Sequence, residues 1–319
     1  MALLKVENLS VEFQTNDGAV QAVKDLSFEL EKGHSLAIVG ESGSGKSQTA
    51  FSIMGLLAEN GRSSGRVLIE GKDILNLPIS ELNTYRAEKM AMIFQDPMES
   101  LNARHTVGEI LEEPFLIHGI GNAQTRRQSV SKLLDTVGLP GRSASRYPFE
   151  FSGGQRQRIG IARAIALKPE LIICDEPVSA LDVSIQSQIL NLLMELQKEF
   201  NLAYLFIAHD LAVVKHISDR VAIMYLGKIV EQASSNEIYH RPFHPYTQSL
   251  ISAIPIPDPH HSATRILLKG DVPSPISPPP GCAFHTRCPK ASESCQRDVP
   301  ILKTVAPEHI AACHFAEAP

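Results

Sequence analysis

An α/β fold built on a parallel sheet is predicted by three features of this 319-residue sequence. Short apolar runs of strand length, "SLAIVG", "MAMIFQ", "LIICDE" and "AYLFIAHD", recur between segments of helical periodicity. "SLAIVG" in particular is a continuous apolar run, as a strand buried on both faces requires. The order strand, helix, strand implies right-handed crossovers, and a hydrophobic content of 43% suffices for a large core.

Taken in order, "LSVEF" (Leu9 to Phe13) alternates apolar and polar residues and predicts a half-buried strand. "SLAIVG" (Ser35 to Gly40) predicts a fully buried one, with a helix starting within "GKSQTAFSIMGLL". "GRVLIEG" and "MAMIFQ" read as strands. From about Asp96 to Glu150 the pattern turns helical, as in "RRQSVSKLLDTVGL", and predicts a helical insertion. The alternation then returns: a helix through "QRQRIGIARAIAL", the strand "LIICDE", the helix "SIQSQILNLLMELQKEF", the strand "AYLFIAHD" and a hairpin around "YLGKIV". Beyond about Arg241 the proline-rich "IPIPDPHH" and "PSPISPPPG" read as extended connectors, and the last forty or so residues are expected to form a separate small module.

The formal charge of −5 provides no general attraction for nucleic acid or an anionic membrane surface, so nucleic acid is not an expected partner. No apolar run approaches the roughly 18 residues of a spanning helix, so a role at a membrane requires other chains to span it. Lys5 and Glu7 interrupt the stretch where a signal peptide would be apolar, and no export is expected. An odd set of five cysteines then favours reduced thiols or metal ligands over disulfides.

"GESGSGKS" fits G-x-x-x-x-G-K-[ST] between a buried strand and a helix, the context this motif requires. Gly40, Glu41, Ser42, Gly43, Ser44 and Gly45, with Gln48 beyond, form a candidate phosphate loop, because backbone N–H groups can close around an anion only where no Cβ intrudes. Lys46 is placed for the β- and γ-phosphates of a nucleotide and Ser47 for Mg²⁺. "LIICDE" ends in Asp175, a candidate Mg²⁺ contact, and Glu176, a candidate general base. His209 closes "LFIAHD" and Gln95 ends "MAMIFQ"; alone, each also fits an ordinary solvated strand end. "FSGGQ" places Ser152, Gly153, Gly154 and Gln155 just before a helix, either as a second anion grip or as a plain helix cap.

The series of phosphate loop, Gln95, "FSGGQRQR", "LIICDEP", "SALD" and "IAHD" resembles the ATP-binding subunit of an ABC transporter over roughly the first 240 residues. That resemblance implies a P-loop ABC ATPase core, a RecA-like sheet with an antiparallel β subdomain and a helical subdomain at about residues 96–160, spanning 1–240. It also implies a head-to-tail dimer, as homodimer or heterodimer, with ATP between the phosphate loop of one subunit and the signature loop of the other. Phe13 then stacks on adenine, and Gln95 touches Mg²⁺ and water at the helical-domain hinge. Ser152 to Gln155 clamp the γ-phosphate in trans, Glu176 is the general base, Asp182 a cross-dimer contact, and His209 contacts the γ-phosphate.

"HPYTQSL", "AIPIPDP", "PSPISPPPGCAFHTRCP" and "ACHF" are similar to the C-terminal extension (241–319) of ATPases of oligopeptide and dipeptide permeases. This implies peptide import, with two transmembrane permease subunits as partners, an extracytoplasmic peptide-binding protein as an indirect one, and a peripheral position on the cytoplasmic face of the plasma membrane. Importers of nickel or other small solutes, and soluble ABC ATPases of DNA repair or translation, share the core motifs. "GESGSGKSQTAFSIMGLLAENGR" through "MAMIFQDPMESLN" looks like the D-type subunit of the permease ATPase pair and the segment from "RYPFEFSGGQ" onward like the F-type, with Ala103 near the join.

Cys282, Cys288, Cys295 and Cys313 are separated by five, six and seventeen residues, unlike the close pairs of structural zinc sites. Four cysteines are the ligand set of a [4Fe-4S] cluster, and some members of the resembled family are associated with one. Thiols packed in a small core, or zinc, are the other readings.

Overall fold

The structure, a computed structural model, describes residues 2–16, 18–255 and 265–316. In chain order, β1 (Ala2–Thr15), β2 (Gly18–Glu31), β3 (Ser35–Val39), α1 (Lys46–Met54), β4 (Gly61–Ile69) and β5 (Lys72–Asp73) come first. There follow α2 (Ile79–Tyr85), β6 (Met90–Ile93), α3 (Pro97–Ser100), α4 (Val107–Ile117), α5 (Ala123–Thr136), α6 (Gly153–Ala164), β7 (Leu171–Asp175) and α7 (Val183–Phe200). The chain closes through β8 (Ala203–Ala208), α8 (Leu211–Val214), β9 (Arg220–Tyr225), β10 (Lys228–Ser234), α9 (Ser235–His240), α10 (Pro245–Ser252), α11 (Glu293–Arg297), β11 (Lys303–Ala306) and β12 (His309–Ala311). The expected strands, the helical insertion and the hairpin are all present. Most of "IPIPDPHH" lies outside the described residues.

The chain divides into two compact units, one formed by 1–4, 30–34 and 76–206, the other by 5–29, 35–75 and 207–319. In the first, β6 and β7 run parallel with Ile93 opposite Cys174, so both strands end at one edge. Every residue of both strands is buried. Helices α4, α5 and α6 pack on one another, and local capping explains where they begin. Thr106 with Glu109 and Asn122 with Thr125 close reciprocal capping boxes at α4 and α5, satisfying N–H groups that have no partner within the helix.

The second unit holds most of β1 and β2 together with β4 and β5, in a sheet of order β2-β1-β4-β5 whose β4 and β5 pair antiparallel. β3 pairs in parallel with β9, and β9 turns into β10 through Leu226 and Gly227, whose φ angles of 44° and 83° suit a tight hairpin. The expectation of a separate C-terminal module is corrected here. β12 pairs antiparallel with β10, with Glu231 opposite Ala311, and β11 pairs with β12. An uncovered β10 would leave a row of backbone donors and acceptors unpaired, and the C-terminal strands satisfy them.

Candidate functional site

The phosphate loop grows out of a strand with no exposed residue, which fixes its starting point. Two glycines are required by close approach. A Cβ on Gly40 would lie 2.1 Å from the Met224 carbonyl oxygen, and one on Gly45, at φ 101°, would lie 2.2 Å from that of Ala22. Gly227 N–H donates to the Ser44 carbonyl at 2.9 Å, tying the loop to the β9–β10 hairpin. Lys46 is buried at the start of α1, and its ammonium donates to the carbonyls of Gly40 at 2.8 Å and Glu41 at 2.9 Å. Ser44 Oγ is buried with no hydrogen-bond partner among the described residues, a donor set against the loop's interior. Lysine, buried hydroxyl and helix N-terminus together suit a polyphosphate.

Phe13 sits on β1, half-buried, with its ring over Gly61 of β4, where a Cβ would come within 2.7 Å of Cε1. His209 is exposed just after β8. Both belong to the same unit as the loop.

In the other unit, the shared edge of β6 and β7 brings three predicted residues together. Asp175 is 4% exposed at the end of β7, and Glu176 follows it with φ 44°. That left-handed conformation costs a non-glycine residue on the order of 1 kcal/mol. Gln95 Nε2 lies 3.4 Å from Glu176 Oε2, joining the end of β6 to the candidate base. The residues suited to Mg²⁺ in this unit, Gln95 and Asp175, thus stand at one strand edge, as oxygen ligands for a hard cation should.

Ser152 caps α6. Its Oγ accepts from Gln155 N–H at 3.3 Å, while Gln155 Oε1 accepts from Ser152 N–H at 3.0 Å. Gly153 and Gly154 abut the segment that leads into α7: added Cβ atoms would lie 3.3 Å from Leu181 Cδ2 and 2.5 Å from Ile185 Cγ2. Asp182, exposed at the start of α7, therefore belongs to the same patch as the signature loop.

All five cysteines are free. Burial is the main influence raising the Cys282 pKa to about 11, with Cys295, Cys313 and Cys288 close enough to add to it. Cys282 N–H also bonds the Cys295 carbonyl at 2.8 Å. The thiols are neighbours, but among the described residues no three His, Cys, Asp or Glu side chains are arranged to hold a metal ion. Cys313 packs instead on Val305, Ala311 and Ala316. The donor set for a [4Fe-4S] cluster is present and its cage is not.

Sequence reasoning assigned no role to several residues that anchor the second unit. Glu231 on β10 is fully buried and accepts from Phe243 N–H at 2.6 Å, His244 N–H at 3.1 Å and His309 Nε2 at 2.7 Å. His244 caps α10 through Nδ1, which accepts from Tyr246 N–H at 3.1 Å, and Pro245 occupies the first helical position. "HPYTQSL" was the available signal, though it carries no spacing rule that reveals these contacts.

A family model described as ABC transporter matches residues 23–179, and one described as Oligopeptide/dipeptide transporter, C-terminal region, matches 230–295. The chain is 53% identical over 305 residues to the oligopeptide transport ATP-binding protein AppF of Bacillus subtilis (strain 168), covering 95% of this chain and 92% of that one. It is 50% identical over 313 residues to OppF of Escherichia coli (strain K12), with 94% and 92% covered. Among solved structures, the dimeric ATP-binding cassette MJ0796 bound to ADP and Pi superposes with a TM-score of 0.66 at 28% identity, covering 73% of this chain and 98% of that one.

Proposed function

Because the chain belongs to the family of ABC transporter ATP-binding proteins, we propose that it hydrolyses ATP to drive import of oligo- or dipeptides across the plasma membrane. The observation that carries this reading is the union, in one chain, of a built phosphate loop with a C-terminal region of the oligopeptide/dipeptide transporter type. Relatives named for peptide transport favour peptide over nickel, and over a role in DNA repair or translation. Residues 1–240 form the nucleotide-binding part and 241–319 the extension. The chain sits peripherally at the cytoplasmic face, with two permease subunits docked on the helical insertion and a second ATPase subunit completing the dimer. The peptide-binding protein outside the membrane acts on it only through the permease.

Phe13 stacks on the adenine, and Gly40 to Gln48 enclose the phosphates. Ser47, Gln95 and Asp175 would hold Mg²⁺, which would supply positive charge to neutralise the phosphates. Glu176 accepts the proton of the attacking water, and His209 contacts the γ-phosphate. Ser152 to Gln155 and Asp182 of the second subunit cover the nucleotide and exclude water. The left-handed Glu176 supports its role, since strain of this kind is kept where it aims a functional group.

Glu176→Gln tests the base. Turnover should fall by about 10² or more while ATP is still bound, and wild-type turnover in that variant would remove Glu176 from the role. The [4Fe-4S] reading is supported by four free thiols in one region and opposed by their placement. A brown anaerobic preparation with about four irons per chain would establish it, and an iron-free preparation with four alkylatable thiols would reject it.

A further inference from the structure

Glu41 carries the only carboxylate in the phosphate loop, and residues far along the chain hold it from two sides. Its oxygens accept a forked pair of hydrogen bonds from Arg287, Nη1 to Oε2 at 2.7 Å and Nη2 to Oε1 at 3.2 Å. Its backbone N–H donates to the Tyr246 hydroxyl at 3.0 Å. Its carbonyl accepts from Lys46 at 2.9 Å, so one hydrogen-bonded line runs from Arg287 through Glu41 to the lysine. The Arg287 side chain is 10% exposed and that of Glu41 27%, so water screens the pair only in part. Arg287 is itself held in place: its N–H donates to the Phe284 carbonyl at 3.0 Å, and the Phe284 ring packs on Tyr225 and Tyr246 with centroids 5.2 and 5.3 Å away.

A carboxylate on a loop that receives a triphosphate opposes binding unless its charge is cancelled. A forked guanidinium cancels the charge and also fixes the plane of the carboxylate, which a point-charge ammonium cannot do. We propose that Arg287 is a positioning residue for nucleotide binding, which neutralises Glu41 and sets the first turn of the phosphate loop. The C-terminal region is then part of the electrostatics of the ATP site. The proposal rests on the reading of residues 40–47 as the phosphate site.

The test measures ATP affinity and steady-state ATPase kinetics of the full chain, with melting curves as a check on folding. Arg287→Met should raise the KM for ATP by about five- to tenfold and leave kcat within about twofold, because it removes an interaction shared by ground and transition states. The effect should shrink at high salt, and Arg287→Lys should recover part of it. Adding Glu41→Gln to Arg287→Met removes the uncancelled charge and should return KM to within about twofold of wild type. A KM for Arg287→Met within twofold of wild type overturns the proposal. A loss that Glu41→Gln does not recover also overturns it, because Arg287 would then only fasten the C-terminal region. Lys46→Ala separates the two levels: if it weakens ATP binding while Arg287→Met does not, this proposal alone falls, and if it leaves ATP binding intact, the phosphate-site reading falls with it.

Discussion

The two glycine-rich helix starts of this protein achieve similar ends by opposite means. At α1, the loop from Gly40 to Gly45 is shaped by distant backbone: the carbonyls of Met224 and Ala22 leave no room for a side chain, and Gly227 N–H fixes Ser44. At α6, the start is shaped by its own neighbours, Ser152 and Gln155, which bond each other's backbone. The first is imposed by tertiary packing, with Gly40, Ser44 and Gly45 buried; the second is capped locally, with Ser152 and Gln155 exposed. A site that encloses an anion within one chain needs the rigidity of the first kind. The proposed role of the α6 start, at a surface shared with a second subunit, would need only a self-capped helix end.

The largest effect that can break this comparison is at the glycines. Gly45→Ala meets backbone at 2.2 Å in a left-handed conformation, and should cost about 3 kcal/mol or more and reduce ATP affinity by about 10². Gly153→Ala meets only the Leu181 side-chain tip at 3.3 Å, and its melting curve should move by less than about 1 kcal/mol. Equal losses of stability in the two variants would erase the distinction.

Acid sharpens it next. Burial is the main influence lowering the His244 pKa to about 4, although nearby Glu231 acts the other way. Its neutral Nδ1 caps α10, which presents Tyr246 to the phosphate loop. Above the ordinary pKa of 6.5 the ring is neutral in both folded and unfolded chains. As pH falls from there toward 4, the unfolded chain takes up a proton that the folded one refuses, so stability declines by up to about 3 kcal/mol. His244→Asn should flatten the dependence of urea midpoints between pH 7 and 4.5, and an unchanged slope would show that other groups carry it. The cap at Ser152 contains no group that titrates in this range.

The smallest effect is at that cap. Ser152→Ala removes one acceptor and should cost about 1 kcal/mol in equilibrium unfolding, while Ser152→Asn should recover most of it. A change near zero would mean that packing on Leu181 and Ile185, rather than the cap, sets the start of α6.

These differences also mark what a linear reading can reach. The buried strands β3, β6, β7 and β8 were legible as apolar runs, and the phosphate loop as a motif in its required context, because both signals lie within a few residues. Capping at Ser152 was legible for the same reason. The pairing of β12 with β10 was not, and a separate module was expected in its place, since antiparallel edges carry no mark of their partner.

By itself, then, the sequence determined the order of strands and helices, the phosphate loop motif, the two carboxylates at the end of β7 and the gathering of cysteines near the C-terminus. Tertiary structure alone decided that those cysteines lie near one another without a metal-holding arrangement, and that Glu231 is a buried anchor 78 residues from His309. It also decided that Glu41 meets Arg287 across 246 residues. Periodicity, capping and turn chemistry act over one or two turns of chain, whereas charge cancellation and edge pairing depend on which surfaces meet after the core has formed.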